Sequence, residues 1–455
     1  YAGAAITEGQ YNTAIGTSAL SVEDDGDGNT AIGYQALVNQ GGTSGTVGNT
    51  VVGMHAGGKI TSGKENTFMG YRAGGRADAF GLTTGNYNTG IGFEAGGCAG
   101  SGANLTGDYN TSLGYKAGVT LQGDADENTL IGGRAAIQLT TGDQNTVVGS
   151  DAFYTATTTS EVVVIGKYAG YTINSTDANG TVAIGTYSLN KNTSGQYNTS
   201  VGYYAGEQNQ VGDDNTFMGY HAGRYATGSY NTFVGSEAGK GGTTSAPYSS
   251  GTNNIAIGYQ ALTAFTTGGE NTVVGNYALD ALTTGTRNIG IGPAAGGAIT
   301  SGGNNIILGY AALDAATQTG HTIAIGSSAL SAYTHIEGSY NVAIGSSVAR
   351  QKTEGRFNVY IGGYQNADAD LTGTKNVWIG SYANQYGTDT DSTTLVGYEA
   401  GRYATGSYNT FIGEQAGKGG TTSAPYSSGE YNVALGTEAL KSFTTAQRMV
   451  AIGYE

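Results

Sequence analysis

One arrangement of apolar and polar positions repeats from end to end of this chain. An aliphatic residue or methionine stands directly before a glycine, as in Ile15-Gly16, Val52-Gly53, Met69-Gly70, Leu113-Gly114 and Ile452-Gly453. That glycine occurs 25 times, and 13 of the 24 steps between copies are 17 residues. A period this short, held this long, excludes an ordinary globular core and predicts stacked coils. The consensus coil reads Asn-Thr-x-Ile-Gly-Tyr-x-Ala-Gly/Leu, followed by a variable stretch of Thr, Ser, Gly and Asp. A few β-branched or aromatic residues bounded by Asn and Gly read as a short strand. The fold expected is therefore all-β: a parallel β-solenoid or β-roll of about 25 coils, running through residues 1–455 as one continuous repeat.

Each recurring residue type has a physical reason. The glycine suits a turn that needs positive φ, or a place where another backbone comes close. Alanine follows three residues later in 21 of 24 complete copies, small enough to face inward where coils crowd. Asparagine precedes the glycine by four residues in 20 of 25 copies, with Val162, Thr181, Thr322, Thr393 and Met449 as the exceptions. Stacked coil on coil, its amide can bond the neighbouring amide and the turn backbone. The repeat core is thus read as Asn12, Ile15, Gly16 and Ala19 in the first coil and as Asn271, Val274, Gly275 and Ala278 in a later one. The aliphatic and the alanine are taken as the two inward positions. Stacking at about 4.8 Å per coil gives a rod about 115 Å long. Longer steps carry insertions, as in residues 41–48 and 241–251, which must bulge from one surface.

With two inward positions and a polar remaining half, a solitary coil buries too little apolar surface to offset its ordering entropy. That shortfall is the argument for a parallel homotrimer, in which three chains pool their faces, over a monomeric solenoid.

Composition narrows the function. The chain has 81 glycines, 33 tyrosines, 3 prolines and 12% charged residues, with net charge −15. Nucleic acid is excluded as a partner of an acidic surface. No apolar run approaches the ~20 residues that span a membrane, so no membrane contact is expected within this segment. The single Cys98 cannot form an intrachain disulfide. Both ends fall inside a coil, since Tyr1-Ala2-Gly3 matches Tyr168-Ala169-Gly170 and Ile452-Gly453 opens another repeat. The expectation is one stretch of a longer protein. Residues 223–233 recur unchanged at 401–411, and residues 238–251 match 416–429 closely. The blocks 223–251 and 401–429 therefore read as a duplication.

Candidate chemistry is sparse. His55, His221, His321 and His335 are dispersed, and His55 and His221 occupy a position that also accepts Gln, Arg, Lys, Glu and Tyr, which reads as solvated surface. Around Asp24, Asp25 and Asp27, the run Glu23-Asp24-Asp25-Gly26-Asp27-Gly28-Asn29 has the alternating oxygens of a calcium loop but lacks the distal glutamate. A solvated acidic turn is the simpler reading, and the calcium signal is weak. The glycines form no phosphate loop, because no G-x-x-x-x-G-K-[ST] is present. A glycan-cleaving enzyme needs paired carboxylates in a groove, whereas the acidic residues here keep to variable positions. No cofactor and no enzymatic activity are expected. The Thr row that would make an ice-binding face is interrupted at Ile255, Val342 and Val377. Tyrosines recur before Asn (Tyr87, Tyr230, Tyr408) and after Gly (Tyr34, Tyr71, Tyr259). They serve either as sugar-stacking platforms or as aromatic ladders that pack coil on coil or chain on chain.

The segments Asn341-Val342-Ala343-Ile344-Gly345 and Asn254-Ile255-Ala256-Ile257-Gly258 resemble the head repeat of trimeric autotransporter adhesins, a trimeric left-handed β-roll with shorter coils. The longer unit Thr-Thr-Gly-x-x-Asn-Thr-x-x-Gly-x-x-Ala-Leu, as in residues 266–279, is similar to repeats of tail-fibre-domain proteins of phages and bacteria. The resemblance implies a structural and adhesive fibre shaft outside the cell. It would belong to a phage tail or side fibre presenting a receptor-binding tip, or to a bacterial cell-surface adhesin or extracellular filament. Its partners would be two further copies of itself and a host-surface glycan or protein receptor.

Overall fold

A computed structural model describes the chain except residues 24, 42–43, 76–81, 98–103, 335–338, 364–365, 421 and 424–425. The chain forms two compact units, Tyr1–Tyr230 and Asn231–Glu455. Both are parallel β-solenoids built on the same coil, about 24 turns in all with a period near 17 residues. Each coil supplies one three-residue strand, from Thr13–Ile15 to Thr216–Met218 in the first unit and from Thr232–Val234 to Val450–Ile452 in the second. Within each unit successive strands pair in parallel and in strict register: Thr13 faces Thr30 and Ile15 faces Ile32, as Ile306 faces Ile323 and Leu308 faces Ile325. Among the described residues the one helix is a single 3-10 turn, Thr176–Ala178.

The strands stop at the glycine for two concurrent reasons. Gly275 has φ 139°, and a Cβ there would lie 2.6 Å from the carbonyl oxygen of Gly292 in the next coil. Both expectations for this position hold. The turn that follows is closed by the alanine N–H donating to the glycine oxygen, as from Ala278 to Gly275 at 3.3 Å. Its third residue sits in the left-handed region, where side chains are disfavoured. His55, Arg72 and Tyr277 have φ near 58°, and their N–H groups bond Tyr34, Met54 and Tyr259 one coil earlier. Inter-coil hydrogen bonds thus hold residues other than glycine in a conformation they would otherwise leave.

Asparagine forms the second continuous row. Asn271 Nδ2 donates to Asn254 Oδ1 at 3.0 Å and to Gly285 O at 2.9 Å. Its Oδ1 in turn accepts from the backbone N–H and the Nδ2 of Asn288 at 3.0 and 3.1 Å. Asn12, in the first coil, is half-buried and makes the same contacts toward Gly26 and Asn29. Where the row is broken, Thr322 and Met449 still donate their backbone N–H to Asn305 and Asn432.

The core differs from the expectation in one respect. A three-residue strand places its ends on one face and its centre on the other. In every three-residue strand but the first and last it is the centre, the variable x position, that is buried. The aliphatic before the glycine points outward: Ile15 is exposed, Val274 is half-exposed, and Ile257 and Ile291 keep 40% and 41% of their surface. Ile15 and Val274 therefore do not belong to the core, whereas Ala19 and Ala278 do. The inward set has four columns: the strand centre, the alanine, the residue after it, and a residue seven past the glycine. This last column holds Ile60, Leu139 and Ile173 in the first unit and Phe265, Leu282 and Ile299 in the second, all fully buried. A single coil consequently closes its own core, and the shortfall argument for three chains falls.

The columns balance in volume. Where the strand centre is Phe68, Phe217, Phe233 or Phe411, the residue after the alanine is glycine; where the centre is Ala31, Ala256 or Ala324, it is Leu37, Leu262 or Leu330. The ring fills the space that the leucine fills elsewhere: a Cβ on Gly239 would lie 2.4 Å from Phe233. Leu262 adopts φ 52°, close to the 50° of Gly239, so the backbone accepts either. Phe233→Ala should cost about 3–5 kcal/mol in the adjoining coils. Adding Gly239→Leu should restore most of it, although Gly239→Leu alone is harmful; hydrogen exchange across residues 232–265 measures all three.

Candidate functional site

Within each unit the outward side chains of the strands form a continuous face. It carries two rows. In the first unit one row is mostly threonine (Thr13, Thr30, Thr50, Thr67) and the other aliphatic (Ile15, Ile32, Val52, Met69). In the second unit the threonine row itself turns apolar. Across six consecutive strands, from Ile289–Ile291 to Val377–Ile379, both outward residues are Ile, Val or Leu. Their register is unbroken, so each side chain lies over its equivalent in the next coil. The signal for this face was present as the apolar residue before every glycine, but it had been assigned to the interior.

The tyrosines pack on one another. Before the asparagine, Tyr87 stacks on Tyr109 with ring centroids 4.9 Å apart, and Tyr408 on Tyr431 at 4.8 Å. At the left-handed turn position Tyr187 stacks on Tyr204 at 4.7 Å with planes 2° apart. After the glycine, Tyr71, Phe93 and Tyr115 stack at 5.3 and 5.4 Å. Ring faces inside these ladders are taken up by neighbours, which leaves edges and hydroxyls to solvent. The coil-on-coil reading of the tyrosines accounts for these contacts.

The variable turn position is less solvated than expected, because its side chains shield each other. Glu94 bonds Arg72 at 3.2 Å and pairs with Lys116 at 3.5 Å, and Arg134 pairs with Asp151 at 2.7 Å. His55 packs edge-on to Tyr34, His221 is buried against Tyr220, and His321 stacks on Tyr340. These three are spread over different coils; His335 lies outside the described residues.

Acidic residues have a structural use that the sequence reading missed. Two positions before the asparagine, Asp108 Oδ1 accepts from Asn86 N at 2.6 Å, Asp126 Oδ1 from Asp108 N at 2.6 Å, and Asp143 Oδ1 from Asp126 N at 3.0 Å. A short acceptor at this fixed offset was the available signal. Of the calcium candidates, Asp24 lies outside the described residues. Asp27 accepts from the backbone N–H of Gln10 at 2.6 Å, and Asp25 donates its N–H to Glu23 Oε1 at 3.2 Å. Asp27 also lies in a short parallel pairing with Thr46. Among the described residues no group of three or more His, Cys, Asp or Glu is placed to hold a metal ion, and no helix is long and apolar enough to cross a membrane. Cys98 is outside the described residues.

In comparison with known proteins, no family model matches this chain and no curated protein matches it. The resemblance to adhesin heads and tail-fibre repeats therefore rests on the residues quoted for it, while the β-roll-compatible solenoid stands on the fold itself.

The asparagine row yields a test. Asn271→Ala removes two donors and two accepting contacts and should cost about 1–3 kcal/mol per polar group left unsatisfied. Asn271→Asp turns the Nδ2 into an acceptor facing Asn254 Oδ1 and Gly285 O. At pH 7 it should cost more, about 3–5 kcal/mol for an unpaired buried charge. Those acceptors favour the protonated acid, so its folded pKa rises. The stability of the variant should recover as pH falls below about 4 and be lost as pH rises. Urea unfolding at the two pH values checks the sign.

Proposed function

We propose that this chain is the shaft of a structural and adhesive fibre, a parallel homotrimer without enzymatic activity. The carrying observation is the outward aliphatic row, part-exposed in coil after coil and about 40% exposed at positions such as Ile257, Ile291 and Ile412. Covering a side chain that is about 40% exposed is worth roughly 1 kcal/mol. Repeated over one unit this is on the order of 10 kcal/mol, comparable with the cost of associating chains. A ladder of side chains at strand spacing is met best by a surface of the same spacing, and another copy of the chain supplies one. The stripe is only two columns wide, about 7 Å. So narrow a face suits the wedge that each chain offers at a threefold axis better than a broad two-sheet sandwich.

The reading as a phage tail or side fibre, exposed outside the cell and presenting a tip to a host-surface glycan or protein, is supported by the likeness of residues 266–279 to tail-fibre repeats. The acidic net charge of −15 would keep such shafts from clumping laterally. Light scattering on the purified chain should give three times the chain mass. Ile289→Lys with Ile291→Lys and Ile306→Lys should release single chains whose circular dichroism is unchanged, because the intrachain core is complete without these residues. A wild-type chain that is monomeric or dimeric at micromolar concentration would overturn the trimer.

A further inference from the structure

The buried column seven residues past the glycine is occupied by apolar, aromatic or amide side chains in most coils, as at Phe265, Leu282, Ile299 and Tyr333. In the coil that begins at Asn341 the same place holds Lys352, whose side chain has no exposed surface. Its Nζ donates to Asp370 Oδ2 at 2.9 Å and to Gly373 O at 2.9 Å. Asp370 is equally buried. Its Oδ2 also accepts from the Tyr360 hydroxyl at 2.7 Å, and its Oδ1 from the backbone N–H of Gly373 at 2.9 Å. Two large, fully buried rings, Tyr360 and Trp378, lie 5.0 Å apart on the adjoining strand centres. The Lys352 nitrogen is 5.5 Å from the centre of the Tyr360 ring.

An ammonium and a carboxylate enclosed in this way are costly, because each gives up its hydration. The pair also has several features of an amine held against an acyl centre. The amine nitrogen touches the carboxyl group that carries the electrophilic carbon, both side chains are fully buried, and one carboxyl oxygen rests on a backbone N–H while the other receives a phenolic proton donor. We propose that Lys352 and Asp370 condense to a side-chain amide that covalently joins two successive coils.

The step balances without a further reactant. A proton passes from the ammonium to the carboxylate, giving an amine and a carboxylic acid. The nitrogen lone pair attacks Cγ, and the charge that develops on Oδ1 is met by the Gly373 N–H. The C–N bond forms, the Cγ–Oδ2 bond breaks, and Oδ2 departs as water carrying the acid proton and one amine proton, with the Tyr360 hydroxyl at hand to relay it. Nothing is oxidised or reduced. Burial lowers the pKa of Lys352 despite the opposing pull of Asp370, which favours the nucleophilic form. Burial and the neighbouring Asp370 raise that of Tyr360 well above its ordinary value, which keeps its proton in place. The product replaces two buried charges by one neutral amide whose N–H retains Gly373 O as acceptor.

Mass spectrometry of the purified, folded full chain tests the proposal. The intact mass should fall below the sequence mass by one water. Trypsin should fail to cut after Lys352, and residues 351–356 should be recovered joined to residues 357–375 through Lys352 and Asp370. Lys352→Arg should show the full sequence mass. Should that variant fail to fold, the wild-type peptide map decides alone. A wild-type chain of full sequence mass, cut normally at Lys352, would overturn the cross-link. So would a lost water that maps to a cyclised aspartate elsewhere with Lys352 free.

Discussion

Every other feature of this chain depends on the in-register stacking of one coil on the next. At strand spacing, a residue meets its own equivalent above and below, so a side chain survives in a column only if it is compatible with copies of itself. Asparagine meets the condition because one amide both donates and accepts: Asn271 receives from Asn288 what it gives to Asn254. Aromatic rings meet it by stacking, and aspartate meets it at the corner because its acceptor is offered to a backbone N–H rather than to another carboxylate. The glycine meets it in the strictest way, since no side chain fits between its α-carbon and the carbonyl of the next coil.

Stacking also explains why an irregular interior is tolerated within a regular backbone. The strand centre ranges from Gly90 to Trp378, and the column after the alanine holds Leu, Ala, Gly, Asn or Phe. Volume is balanced between columns and between adjoining coils rather than at each position: where Gly290 and Gly296 are both small, Leu279 of the preceding coil fills the space. In one place the compensation is chemical instead of steric: Tyr360 and Trp378 are accompanied by Lys352 and Asp370, a buried ion pair in a column that elsewhere holds mostly apolar or amide side chains. A core assembled one coil at a time can confine such a departure to the coils that touch it.

The outward face follows from the same geometry. Because the strand is three residues long, two of its side chains must leave the interior, and register then aligns them into rows. Threonine in much of the first unit makes the face mixed, whereas Ile, Val and Leu in the middle of the second make it wholly apolar. The fold places these side chains outward and covers them only in part. That contrast, a complete interior beside a regular, part-exposed apolar stripe, is the ground for the proposal that copies associate.

The sequence by itself determined the period, the parallel stacking, the asparagine row and the need for glycine, because each depends only on a residue type recurring at a fixed interval. The calcium reading around Asp25 and Asp27 was ambiguous at that level, since oxygen spacing alone does not tell a ligand from an acceptor for backbone N–H. The sense of the strand was not legible either. A three-residue segment alternates once and once only, so Thr-x-Ile fits either facing, and the constancy of the aliphatic was mistaken for burial. Only the tertiary structure decided that the variable centre points inward. The turn that follows returns the chain across the inner face of the strand, where Ala278 and Leu279 already claim the space and only the x residue can share it. The proximity of Lys352 to Asp370, 18 residues apart in sequence, was likewise settled by folding, because the extra residue in that coil shifts Asp370 beneath the column that Lys352 occupies.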